Sequence, residues 1–575
     1  MTCRRLSRKE FLGIGAGAAA GVALAGSGMG TLLTRQAAAA TLAPYSVPLP
    51  VPPVLRGTTQ SLNIEQTAHR FHGDMPPSQV WGYNDGLKKS GGYLGPTIEV
   101  QKNSTTTVNF TNKLPSEHLL PVTTELVPDG TGTPRILTHL HGGFVSGAND
   151  GNPYATKILF FNGDKQTVVY PPQPRATTLW YHDHAMGMTR LNVYAGLAGF
   201  FVVRDTNDTG KEPNPIGIPG GKYEVPIVIQ DKIFGADGRL FYSEDATWMP
   251  EFFGGTPVVN GAVQPYLTVE PRTYRFRLLN GSQSRFYHLQ MQGGMPFYQI
   301  GAEGGMFDSP VRMTNILLLP AERADVIVDF RGLGGQNIVL GNVALPAGVV
   351  SPAEPDIPEL MQFRVRGPVT TPGPRAIPLV LNGGTKANLA NKTPVGTRYI
   401  TLEEVLDDAT DEPLWLQMNG DRFDAPVKET PKAGTIEDWA FVNISADTHP
   451  IHMHLTNFQV IKRQALDGDT YAQDLRNARA KAKSEPLPFP ERPAPPPLLA
   501  NKTIDPTPYL VGPAIPPDSN ERGFKDTVGA NPNQVTWIRQ KFALPTGVGV
   551  PQKYVYHCHI LEHEENDMMR PYEVV

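Results

Sequence analysis

Ten of the fourteen histidines of this 575-residue chain fall in four short clusters. They are His139-Leu140-His141, His182-Asp183-His184, His449-Pro450-Ile451-His452-Met453-His454 and His557-Cys558-His559, the last followed by His563 and Met568. Chance placement would give roughly 0.3 His-x-His pairs in a chain of this composition; four are present. On a strand, residues i and i+2 project from the same face roughly 6–7 Å apart. Each pair therefore offers two imidazoles to one metal ion or to two adjacent ones.

The last cluster carries the most chemistry. In His557-Cys558-His559 the cysteine must point away from its two neighbours, so a strand there would hold two sites back to back, joined by one residue of backbone. On the cysteine side His563, Met568 and a histidine from elsewhere would complete a thiolate, two imidazoles and a weak thioether, the donor set of a blue copper electron-transfer centre. Structural zinc in a Cys/His site usually takes more than one cysteine, and the other cysteine, Cys3, lies in the first 40 residues. With Cys558, His563 and one histidine of the 449–454 cluster set aside, eight histidines remain, enough for three further metals. Imidazole-only coordination suits copper among the redox metals, and its open positions can take dioxygen.

The elements that must position these residues are strands. Glycine and proline together make 113 residues, about a fifth of the chain against a usual share of roughly 12%, and neither recurs at a short period. Apolar residues at 40% and charged residues at 18% suit turn-rich, all-β globular domains. An internal repeat shows in three extended runs, each closed by asparagine: Thr97–Asn112, Leu267–Asn280 and Thr435–Asn443. The asparagines are spaced by 168 and 163 residues, one β-sandwich apiece. A turn precedes each run, at Gly95-Pro96, Asn260-Gly261 and Asn419-Gly420. Gly/Pro-rich connectors follow Gly199–Arg204 and Leu360–Arg366. A proline-heavy insertion at 484–518 is unfit for an interior strand and is expected as a surface excursion.

Residues 1–40 carry five basic residues against Glu10, then no charge from Phe11 to Thr34. Ser7-Arg8-Lys9-Glu10-Phe11-Leu12 resembles the twin-arginine consensus, so residues 1–40 are expected to be an export signal, leaving a periplasmic, envelope or secreted protein without stable membrane insertion. The net charge of −4 with no basic stripe argues against a nucleic-acid partner.

In their order and spacing, H-x-H, H-x-H, H-P-x-H-x-H and H-C-H-x3-H-x4-M, the motifs resemble those of the multicopper oxidases. The stretches WYHDHAMGMTRLNVYAGLAGFFVV and HCHILEHEENDMMRP are most similar to those of the spore-coat laccases, bilirubin oxidases and phenoxazinone synthases. That resemblance implies three consecutive cupredoxin-like Greek-key β-sandwich domains, at 41–208, 209–372 and 373–575. It implies four copper ions: a type 1 copper on His449, Cys558, His563 and Met568, a type 2 copper on His139 and His452, and a type 3 pair on His141, His182, His184, His454, His557 and His559. Asp150 and Glu564 occupy the places of acids that assist proton delivery to dioxygen. Phenols and aminophenols would give up electrons near the imidazole edges of His449 or His563, beneath a broad cleft. The electrons would cross Cys558 to His557 and His559, and dioxygen would be reduced to water between domains 1 and 3, with domain 2, whose one histidine is His288, as spacer and wall.

Two other readings stand beside this one. An oxidase of Fe(II) or Mn(II) would need carboxylates beside the type 1 copper, for which Asp447 is a candidate, and one of Cu(I) would need a thioether-rich loop; Met291, Met295, Met306 and Met313 are scattered through strand-like sequence and are expected to fill core. A non-catalytic copper-binding cupredoxin should have lost ligands, and this chain retains every one.

Overall fold

The computed structural model describes residues 42–86, 92–153, 159, 162–243, 248–352, 355–374, 376–381, 388–407, 413–483 and 496–575. The expected export signal and residues 484–495 of the proline-heavy insertion lie outside them. The strands of the described residues form six sheets, and each sheet draws on one third of the sequence. Sheets of five and four strands use residues between Val54 and Arg204; sheets of eight and five strands follow between Glu224 and Val365; sheets of six and four strands lie between Thr397 and Val574.

The repeat read from the asparagines has a structural counterpart. Thr59–His69 runs parallel to Thr106–Asn112, Glu224–Phe234 to Thr273–Asn280, and Thr397–Leu406 to Ile436–Asn443. In each pair the closing asparagine lies opposite a branched aliphatic residue: Ile64 for Asn112, Ile229 for Asn280 and Leu402 for Asn443. The asparagines are buried and do the same work. Asn280 and Asn443 each accept from the N–H two residues on and donate to two carbonyls, and Asn112 accepts from the N–H of Leu114. Such Asx turns end a strand by satisfying backbone groups that the ladder no longer can.

Two of the three runs are not single strands. Thr97–Asn112 breaks into Thr97–Gln101 and Thr106–Asn112, which belong to different sheets, and Leu267–Asn280 likewise breaks between Tyr266–Val269 and Thr273–Asn280. The breaks fall at Lys102-Asn103-Ser104 and at Pro271, where a turn former or a missing N–H stops the ladder. The Asn260-Gly261 and Asn419-Gly420 turns have positive φ at both residues, as tight hairpin turns require.

Cores follow the period of two. Lys165–Tyr170 alternates exposed and buried residues, as a strand with one solvated face should. Thr273–Asn280 is buried throughout: Tyr274, Phe276 and Leu278 enter the middle core, while Arg275 and Arg277 on the other face pair with Asp208, Glu224 and Asp325. Arg277 also donates to the Thr178 hydroxyl in the first third. These buried pairs key the first and middle thirds together.

Strand periodicity gave no warning of the helix Gly468–Ala482, whose N-cap Asp467 accepts from the Thr470 N–H and whose Tyr471, Leu475 and Ala478 pack on a local core. Part of the proline-heavy insertion, Leu510–Ile515, is an exposed edge strand on Phe458–Leu466, the one place in a sheet where Pro513 costs no ladder bond. Among the described residues no helix is long and apolar enough to cross a membrane.

Candidate metal centres

Two hairpin-like pairings bring the histidines together. Thr138–His141 pairs antiparallel with Thr177–Asp183, setting His139 opposite His182; His449–Met453 pairs with Gln552–Cys558, setting His452 opposite His557 and Ile451 opposite Cys558. Residues between the histidines point the other way, into structure. Leu140 fills the first core, and Asp183 accepts from the N–H groups of Leu137 at 2.8 Å and Ala185 at 3.0 Å, fastening the turn that carries His184.

The first and last thirds thus present eight buried imidazoles to one another. The rings of His139 and His454 stack at 3.9 Å, and those of His141 and His452 at 3.6 Å. Three triads, His139/His141/His452, His141/His182/His559 and His184/His454/His557, each bring one ring nitrogen per residue within 4.8 Å of the others. The far side of most rings is held by an acceptor. Nδ1 lies 2.5 Å from the Asp150 carbonyl in His139, 2.8 Å from the Asp183 carbonyl in His182, 2.8 Å from the Asp526 carbonyl in His452 and 2.9 Å from the Cys558 carbonyl in His557. A carbonyl only accepts, so those Nδ1 atoms carry the protons and each Nε2 keeps its lone pair. The Nε2 atoms of His139, His182 and His452, Nδ1 of His141 and both ring nitrogens of His559 are buried without a hydrogen-bond partner. Buried polar atoms are seldom left so. Their convergence, with the outer nitrogens held, is how proteins present imidazoles to a metal.

Electrostatics favours the same state. Burial first, and neighbouring imidazoles second, hold His139, His141, His452, His454 and His559 well below the usual histidine range and His182 at about 3. These rings are neutral ligands at any ordinary pH. The two acids sit in the same cluster: Asp150 Oδ2 accepts from His454 Nδ1 at 2.7 Å, and Glu564 lies 3.1 Å from Nδ1 of both His184 and His557. Burial pushes the Asp150 carboxyl up to about 7, against the pull of Asn152, His184 and His557. For Glu564 burial acts upward too, but His184 and His557 outweigh it and hold the group well below the usual range.

On the other face of the same strand, Cys558 Sγ lies 3.6 Å from His449 Nδ1 and 3.7 Å from His563 Nδ1, and those two nitrogens are 3.3 Å apart. Donors at about 2.0–2.3 Å from one ion and at trigonal angles would lie roughly 3.5–3.9 Å apart, so the triangle is of metal-binding size. Burial pushes the Cys558 thiol well above its usual range, only partly offset by the Ile560 N–H. In so dry a site a bound cation is what would make it a thiolate. Met568 is buried in the same core, its carbonyl accepting from the Cys558 N–H at 3.0 Å.

A multicopper oxidase family model matches residues 397–575 and a second one residues 132–208, the stretches that hold the two constellations. A laccase of Bacillus subtilis is 36% identical over 560 residues, covering 93% of this chain and 99% of the relative. This chain belongs to the multicopper oxidase family. It is a laccase-like oxidoreductase that uses dioxygen, built from cupredoxin-like domains. Multicopper oxidase LPR1 of Arabidopsis thaliana is 32% identical, covering 91% of this chain and 89% of the relative. The McoA multicopper oxidase of Aquifex aeolicus superposes with a TM-score of 0.69 at 26% identity, over 92% of this chain and 99% of that one.

Around the cysteine triangle of this multicopper oxidase the two histidines are enclosed by neighbouring described residues. Both imidazoles are fully buried, and their outer nitrogens are engaged: His449 Nε2 lies 2.6 Å from the Ser445 hydroxyl and His563 Nε2 lies 3.1 Å from Glu251 Oε1. The reason is that Trp248–Phe253 of the middle third lies over the helix Leu561–Glu565, with the Trp248 indole donating to the Glu562 carbonyl at 3.0 Å. The middle third thus forms a wall of this site. Asp447 is buried, its carbonyl taken by Asn443. Of the four methionines Met291 is buried in one core with Met295 and Met313 partly buried against it, and Met306 is partly buried against another, so they are divided between two cores. His288 faces the Ala344 carbonyl. Glu251, Asp526 and Arg323 escape a reading of the sequence because each sits in a stretch with no repeated spacing and meets its partner only through the fold, Glu251 at His563, Asp526 at His141 and His452, and Arg323 at Asp526; Ser445, four residues before His449, belongs to no motif.

Proposed function

We propose that this multicopper oxidase takes electrons singly from phenols and aminophenols and delivers four of them, with four protons, to one dioxygen to give two waters, using four copper ions. The observation that carries this reading is one strand end with two faces: Cys558 in a triangle with His449 and His563, and His557 and His559 in the imidazole cluster beyond. His449, Cys558, His563 and Met568 would hold a type 1 copper, His139 and His452 a type 2 copper, and His141, His182 and His559 with His184, His454 and His557 a type 3 pair. Copper there supplies reversible one-electron chemistry and dioxygen binding. The chain's own part is to present neutral rings, to offer a covalent path from Cys558 to its flanking histidines, and to hold protons at Asp150 and Glu564 beside the imidazole cluster. We also read residues 1–40 as an export signal of the twin-arginine type, which cell fractionation with and without Arg8→Lys and Lys9→Ala would test.

One contact favours a second reading, oxidation of Fe(II) or Mn(II). The Glu251 carboxylate touches His563, and hard divalent ions seek carboxylates. The deciding experiment is dioxygen uptake with an aminophenol, a methoxyphenol, bilirubin, Cu(I), Fe(II) and Mn(II) compared. Uptake with the organic reductants supports the first reading; uptake with metal ions alone overturns it in favour of the second.

A further inference from the structure

Asp526 meets the imidazole cluster at two points. Its Oδ1 lies 3.2 Å from His141 Nε2, and its main-chain carbonyl lies 2.8 Å from His452 Nδ1. The carboxylate is in turn gripped by Arg323, the first residue of the strand Arg323–Asp329 in the middle third, with Nη1 to Oδ1 at 2.8 Å and Nη2 to Oδ2 at 2.6 Å. Both residues are buried. The rest of the guanidinium is spoken for: Nε donates to the Thr178 carbonyl at 3.0 Å, on the strand that carries His182, and Nη1 to the Ala321 carbonyl at 3.0 Å. One planar cation thus bonds to all three thirds of the chain.

The ring it serves is the exception in the cluster. His139, His182 and His452 leave Nε2 without a partner, whereas His141 leaves Nδ1 so and turns Nε2 to the carboxylate. A carboxylate paired two-pronged with a guanidinium is a fixed acceptor, so His141 donates from Nε2 and its Nδ1 carries the lone pair. The backbone is shaped to let the pair come this close. Gly142 has φ +80°, and a Cβ there would stand 2.4 Å from Asp526 Oδ2 and 2.8 Å from Arg323 Nη2. Arg323 also lines a cavity of about 350 Å3 between the middle and last thirds, along with Glu303, Glu322 and Lys525.

We propose that Arg323, from the third of the chain that contributes no metal-binding histidine, is a positioning residue that acts through Asp526 to fix the ring and tautomer of His141. This rests on the copper assignment above, and it gives the middle domain a direct part in assembling the dioxygen site. Four contacts define the place of the carboxylate: two guanidinium nitrogens, the His141 ring and the Thr527 hydroxyl at 3.0 Å.

The test compares wild type, Arg323→Lys and Arg323→Met as copper-loaded full chains, reading total copper, the blue colour, the near-ultraviolet absorption of the type 3 pair that His141 would help hold, and dioxygen turnover. The expected result for Arg323→Met is retained colour, a changed type 3 absorption and roughly 10–100-fold weaker cluster copper binding or turnover, the range seen when an outer partner of a metal-bound histidine is lost. Arg323→Lys keeps the charge but not the two-pronged grip; it should fold as wild type does and show the same spectral change with a smaller loss. Full copper, an unaltered spectrum and unaltered turnover in either variant overturn the proposal. If wild type itself binds one copper per chain, the copper assignment fails instead, and the two failures are told apart.

Discussion

Glu251 reaches from the middle third of the chain to within 3.1 Å of the His563 ring, and both groups are buried. A carboxylate on the outer nitrogen makes the imidazole a stronger donor and should favour the oxidised state of a metal held at Nδ1. Glu251→Gln is therefore expected to raise the type 1 reduction potential in a redox titration followed by the blue absorption. If Glu251 also receives metal-ion substrates, the variant should lose at least about 10-fold in turnover with Fe(II) or Mn(II) and much less with an aminophenol. A potential equal to that of wild type would remove the contact from the mechanism.

Cys558→Ser should abolish the blue colour and reduce oxidase turnover to background while the chain keeps its fold. The hydroxyl fits the buried space, but it lacks the soft thiolate that copper takes there. Circular dichroism and copper analysis report the two halves of this statement separately, and a colourless variant with appreciable turnover contradicts it.

Asp150→Asn and Glu564→Gln keep shape and remove a proton site beside the imidazole cluster. Loss of a positioned acid or base typically costs about 10²–10⁴-fold. Each variant should keep its blue colour yet be reoxidised by dioxygen at least about 10-fold more slowly in a stopped-flow experiment. Reoxidation at the wild-type rate would leave the two acids with no more than a hydrogen-bonding role to His454, His184 and His557.

Gly142→Ala places a side chain at φ +80° and against the Asp526–Arg323 pair. A strained backbone alone costs on the order of 1–3 kcal/mol, so the midpoint of urea unfolding should fall measurably. The near-ultraviolet absorption of the type 3 pair should change too, since Gly142 follows His141 directly. A variant as stable as wild type would mean that the loop can move aside.

Lys232 is buried, its ammonium nitrogen 2.6 Å from the Tyr194 carbonyl and 3.9 Å from the centre of that ring. Burial, partly opposed by Asp231, brings it down from 10.5 to about 7. Between those values the unfolded chain binds a proton that the folded chain does not, so this group makes stability rise with pH across the window and adds no further change above it. At about 1.4 kcal/mol per pKa unit, the rise is on the order of a few kcal/mol. Lys232→Met should flatten it, as read from urea midpoints at about pH 7 and about pH 9.5; parallel slopes in the two proteins would show that Lys232 is charged in the fold.

The ligand candidates were legible because a strand turns sequence spacing into direction. His139 and His141, or His557 and His559, needed no tertiary knowledge to be set on one face, and Cys558 none to be set on the other. The sandwich repeat was legible for a similar reason, since Asn112, Asn280 and Asn443 each end a ladder by the same local bonds. What escaped were contacts made by residues far apart in the chain. Glu251 stands 312 residues from His563, and Arg323 stands 203 from Asp526; no periodicity links such partners. The helix Gly468–Ala482 escaped through attention to period two, although Asp467 ahead of an Ala, Arg and Lys-rich stretch is a helix start in form.

The imidazole cluster draws on His139 to His184 and again on His452 to His559, and neither set surrounds a site without the other. A growing polypeptide on the ribosome therefore owns half a cage until its final strands emerge. The complete cage can close only once the final strands have folded, so a truncated or stalled product lacks it.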